Sequence, residues 1–157
     1  MTLIKGYVTA DNSYSVYLGD ENEVYKHLKS ANNPTRASIF KPEKCDFHAC
    51  ATEYLYIVSQ SDHRVFQGLL ATFTGTTTIH TGHPAWEVMA AANNAAPTMA
   101  NINTALANFP WNTPFVGAPN TANNPPYSQK VSSIPDDANW IRHDTGRDSG
   151  ANYPNTP

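Results

Sequence analysis

The chain has 157 residues, enough for one domain of ordinary size and too few for two comfortable ones. Only 15% of the residues are charged, 40% are hydrophobic, and ten basic against thirteen acidic side chains leave a formal charge of −3. That balance excludes an electrostatic nucleic-acid binder, which needs a basic stripe to neutralise phosphates, and no run approaches the roughly 18 apolar residues of a membrane-spanning helix.

Twelve prolines, abundant Asn and Thr, and few Lys or Glu describe a chain of turns and half-buried strands with little surface helix. Residues 3–18 alternate, with Ile4, Tyr14, Val16 and Leu18 on one side of a pleat and turn chemistry at 10–13, which predicts two short strands. Residues 19–22 read as the next turn, 24–28 fit neither element clearly, and 30–36 read as a loop in which Pro34 holds Asn33 out of helix. A brief strand is predicted at 38–40 and a loop at 42–50. Residues 53–59 (EYLYIVS) form a nearly continuous apolar run, which predicts a central strand buried on both faces. Residues 65–73 predict a second central strand, with Gly68 marking a bulge or a close backbone approach. Two further strands are expected at 76–80 and 86–89.

Beyond Met89 the texture changes. Residues 90–126 are rich in Ala, Asn and Pro, and Thr98 is placed to cap one short helix ending near Leu106, with Met99, Ile102 and Leu106 along one face. The expected organisation is a β-sandwich core over 1–89 followed by an Ala/Asn/Pro-rich extension over 90–157, carrying that helix and one late strand. An ordered segment of this composition must pack on its own sheet or on a partner.

Cys45 and Cys50 are close enough in sequence for a small disulfide loop in an oxidising compartment, worth about 2 kcal/mol at most. Free thiols, or a metal site that also uses Asp46 and His48, are the alternatives. No G-x-S-x-G, H-E-x-x-H or Gly-rich phosphate loop is present, so no catalytic residue is expected. Asp136, Asp137 and Asp144 are loop carboxylates that read as solvated turn residues, with calcium as the one cofactor they admit. His80 and His83 flank a turn and read as solvated, with a shared metal as the lesser alternative. Trp86 and Trp140 stand in strand-like context and are expected in the core, whereas Trp111 and Tyr127, set among prolines, are candidates for surface contacts. Sugar rings stack on aromatic planes and their hydroxyls pair with amides, so Trp111, Asn112, Asn124 and Tyr127 form the candidate ligand-binding set.

Three stretches together resemble a known pattern. Residues 8–18 (VTADNSYSVYL), 65–73 (VFQGLLATF) and 81–88 (TGHPAWEV) look like successive strands of the galactose-binding-like β-sandwich modules of secreted bacterial surface proteins, and 138–143 (ANWIRH) is similar to a late strand in them. Gly19 and Asp20 stand where those modules usually carry Asn-Gly, which changes the hairpin turn. The resemblance covers about 60% of the chain in short pieces, by comparison of strand-like segments. It implies an all-β, antiparallel jelly-roll sandwich, to which the composition beyond Met89 adds a long ordered Pro/Asn-rich C-terminal excursion. It also implies a secreted or cell-surface, non-catalytic module for carbohydrate binding or adhesion. Such modules usually finish with one more apolar strand, which residues 147–157 do not supply, so an open sheet edge is expected. The alternative is a structural subunit that grips neighbouring protein subunits through its Pro/Asn-rich tail and that edge.

Overall fold

The computed structural model describes residues 1–60, 68–90, 96–121 and 129–142. In chain order the elements are β1 (Thr2–Asp11), β2 (Ser13–Gly19), β3 (Val24–Asn32), α1 (Arg36–Ile39), β4 (Glu43–Lys44), β5 (Phe47–Ala49), β6 (Tyr54–Gln60), β7 (Gly68–Thr74), β8 (Thr78–His80), α2 (Met99–Asn108), β9 (Phe115–Pro119) and β10 (Asn139–Arg142). The chain is therefore mostly strand, and every strand pair among the described residues is antiparallel.

The strands form two sheets. The larger follows the order β4-β1-β7-β10-β9, with β5 also on β1 and β8 also on β7; the smaller is β3-β2-β6. Alternation explains how they meet, because successive side chains leave opposite faces of a strand. Val8 and Ala10 of β1 and Leu69, Ala71 and Phe73 of β7 point inward from the large sheet. Tyr14, Val16 and Leu18 of β2 meet them from the small one. Both sheets are covered on their outer faces too, so β2 and β7 are buried on both sides. Outside the large sheet, Ile39, Phe40, Val131, Ile134 and Ala138 pack on Leu70 and Trp140. Outside the small sheet, Ile102 of α2 packs on Tyr17 and Val24.

Several expectations need correction. The apolar run at 53–59 becomes β6, a terminal strand of the small sheet whose residues are half-buried or exposed. Its neighbour β2, with more small and polar residues, takes the doubly buried place. Residues 38–40 belong to a helical turn, because Thr35 and Ser38 cap each other's backbone in a capping box. The loop expected at 42–50 pairs with β1 in a single register, from Val8↔Glu43 to Thr2↔Ala49. Only an isolated bridge, Val88↔Asn112, forms within 86–89.

That register also removes the expected disulfide. Cys45 and Cys50 lie five positions apart along one extended segment, so their side chains leave opposite faces and their Cα atoms stand roughly 16 Å apart, beyond the 7 Å limit of a disulfide. Both thiols are free: Cys45 is buried and Cys50 is exposed.

Gly68 marks a close approach, as its sequence context suggested. A Cβ there would lie 3.0 Å from Cε3 of Trp140.

Candidate functional site

The outer face of the small sheet is the most unusual surface of the molecule. From Val88 to Gln129 the sequence contains no Asp, Glu, Lys, Arg or His, and β6 contains none either. Helix α2 is capped by the Thr98 side chain, which accepts from the Asn101 amide. It lies against β3, where the Asn103 side chain accepts from the Val24 amide (2.7 Å) and donates to the Val24 carbonyl (3.2 Å). An asparagine here behaves as one more strand partner and docks the helix.

Beyond the helix the chain turns back through Phe109 and Trp111. Trp111 is 42% exposed, and its ring centroid lies 6.2 Å from that of Tyr56 with the planes tilted by 39°. Tyr54, two positions earlier on the same face of β6, is 55% exposed. The half-buried Tyr56 and the buried Tyr17 beneath are oriented by hydrogen bonds: Tyr56 donates its hydroxyl to the Asp20 carbonyl and Tyr17 to the Pro97 carbonyl. Burial is the chief cause pushing the Tyr56 phenol above its ordinary range. The result is an aromatic platform in which the Tyr56 ring is fixed by its hydrogen bond and Trp111 tilts against it.

At the rim, Tyr25 donates to the Glu53 carboxylate at 2.5 Å, and Glu53 also accepts from the Cys50 amide. The hydrogen bond to Glu53 pushes the Tyr25 phenol up to about 12. The same bond, with the Cys50 amide, holds the Glu53 carboxyl below its usual value.

Of the four ligand-binding candidates, the structure describes Trp111 and Asn112; Asn124 and Tyr127 lie outside the described residues. Asn112 supports the loop: its backbone pairs in both directions with Val88 at 2.8 Å, and its side-chain nitrogen donates to the Pro110 carbonyl at 3.0 Å. Tyr54 and Tyr56 were missed in the sequence because a continuous apolar run reads as buried on both faces. The signal was present in their spacing of two, which puts both rings on one side of a strand.

Trp140 is buried, and Trp86 is partly buried, packing against Phe73 and donating its indole N–H to the His80 carbonyl. The carboxylates considered for calcium have other partners. Asp136 pairs with Lys130, Asp137 lies 3.8 Å from His80 Nε2, and Asp144 lies outside the described residues. No group of three His, Cys, Asp or Glu side chains converges on a metal position among the described residues, the Cys45 and His80 neighbourhoods included. Burial pushes the Cys45 thiol up, which disfavours the nucleophilic thiolate. No helix among the described residues is long and apolar enough to cross a membrane.

Compared with known protein families, curated proteins and solved structures, the chain matches no family model, no curated protein and no solved structure.

Proposed function

We propose that this chain is a non-catalytic carbohydrate-binding or adhesion module of the cell exterior, built on a jelly-roll-like sandwich. The observation that carries this reading is Trp111, exposed and tilted against the Tyr56 ring beside a helix and a strand that carry no charged side chain. Pyranose rings present apolar C–H faces that stack on such planes, and their hydroxyls are satisfied by neutral amides and hydroxyls rather than by ions. Tyr54 extends the platform along β6. Tyr56 is held by its hydrogen bond to the Asp20 carbonyl before any ligand arrives, which lowers the entropic cost of binding. The low proportion of charged residues and the resemblance to secreted sandwich modules support the exterior location.

The test is a glycan array on the purified chain, followed by titration of any hit against Trp111→Ala. Binding that weakens at least about tenfold in the variant, with an unchanged circular dichroism spectrum, supports the reading, since one lost stacking contact is worth about 1.5 kcal/mol. An array without hits, or a hit indifferent to Trp111, overturns it.

A further inference from the structure

We infer that β6 is a self-pairing edge through which two copies of this chain join their small sheets. This inference does not depend on carbohydrate recognition.

Natural sheets protect their edges with short strands, charges, prolines and bulges, because an unprotected edge pairs with any suitable strand. The edges of this molecule can be compared directly. Strand β4 has two residues, β5 has three, and the segment bears the charges of Glu43, Lys44 and Asp46. Strand β9 contains Gly117 and Pro119, and its pairing with β10 shifts register. Strand β3 carries Lys26, His27 and Lys29, and its register with β2 shifts twice. Strand β6 has none of these devices. It is seven residues long, YLYIVSQ, without charge, Pro or Gly, and its register with β2 runs unbroken from Ser13↔Gln60 to Gly19↔Tyr54. Among the described residues, no strand pairs with its other side.

The sequence of β6 is also its own complement. In an antiparallel pair with a two-fold axis at Ile57, Ile57 faces its copy, Tyr56 meets Val58, Leu55 meets Ser59 and Tyr54 meets Gln60. At the centre the β-branched Ile57 opposes itself and the aromatic Tyr56 opposes the β-branched Val58, and no like charges meet, the combination that stabilises cross-strand pairs. The half-buried Leu55 and Ile57 already pack on the core between the sheets, and a partner strand would cover their remaining exposed side. Pairing would produce a six-stranded sheet with both Trp111 platforms on one face. A ligand carried in many copies on a surface would then engage two platforms at once, with the gain in avidity that linkage brings.

The experiment is sedimentation equilibrium of the full chain over a micromolar range, compared with the double variant Tyr54→Lys/Ser59→Lys. Both substituted positions are exposed, and the lysines copy the protection found on β3. The wild type is expected at twice the chain mass, and the double variant is expected to dimerise at least about tenfold more weakly. Circular dichroism reads folding separately; if the double variant loses its fold, Ser59→Lys alone decides the same point. Val116→Lys, on the β9 edge, should leave the dimer intact. A wild type that stays at the mass of one chain, or a folded β6 variant that dimerises like the wild type, overturns the inference. Trp111→Ala is expected to remain dimeric, so a failure of glycan binding and a failure of pairing give different results.

Discussion

Each sheet is covered on its outer side by chain without regular strand, yet the two covers differ in kind. Over the large sheet, the segment around residues 129–138 is sealed by one buried side chain, Asn120. Its nitrogen donates to the Val131 carbonyl (2.9 Å) and the Ile134 carbonyl (2.8 Å), and its oxygen accepts from the Val131 amide (2.8 Å). Val131, Ile134 and Ala138 are thereby pressed onto Leu70 and Trp140, and charged pairs such as Lys130–Asp136 remain at the surface. Over the small sheet, α2 is held by the part-buried Asn103, covers Tyr17 and Val24, and leaves Tyr54, Phe109 and Trp111 exposed. The first cover completes a core. The second leaves large rings in water on elements that carry no charge of their own, with Asp20 and Glu53 at the rim, an arrangement that costs solubility and marks an interaction surface.

Four substitutions test this contrast. Trp140→Ala empties the centre of the sealed side and exposes the backbone it shields at Gly68; a loss of about 4 kcal/mol is expected in denaturant unfolding. Asn120→Ala leaves buried carbonyls and an amide without partners, and should cost about 3 kcal/mol. Asn103→Ala, the counterpart on the open side, should cost only about 1 kcal/mol, because the Val24 backbone it releases is part-buried and within reach of water. If the Asn103 loss equals the Asn120 loss, the two covers do not differ as described. Trp111→Ala should cost about 1 kcal/mol while removing ligand binding, since the ring is 42% exposed and loses only its partial packing on Tyr56.

The smallest effect concerns pH. The folded Glu53 carboxyl is held below its ordinary 4.5, so its contribution is present above that value and is lost as the pH falls through the lower folded one. The Tyr25 phenol is raised to about 12, so its contribution is present below 10 and is lost as the pH rises through about 12. Glu53→Gln should therefore flatten the acid arm of the thermal-stability profile and lower the Tyr25 phenol toward its ordinary titration, both readable by spectroscopic melts and a phenolate titration. Tyr25 is exposed and Glu53 only half-buried, so salt should diminish the effect.

Local chemistry was legible where it was strong. Alternation at β1 and β2, the strand ending in the LLATF run, the Thr98 cap and the close approach at Gly68 could all be read from residue type and spacing. Tyr54 and Tyr56 were legible only as strand residues, because a run apolar at nearly every position looks the same whether one face or two are covered. Ser38 was misread because its role in capping depends on Thr35, three residues away, rather than on its own strand neighbours. Asn120 left no local signal: one asparagine among many becomes a structural peg only when residues 131–134 fold back over it.

What the sequence by itself determined is the class: mostly strand, antiparallel, sparsely charged, with a late amide- and proline-rich segment. Period-two patterning and turn residues act over a few positions, so they are written in the chain directly. Which strand became central and which became an edge was decided only by the tertiary structure. So were the distance between Cys45 and Cys50 and the side of the sheet left for Trp111. Those outcomes depend on the competition of whole faces for a limited interior, a choice no short window of residues contains.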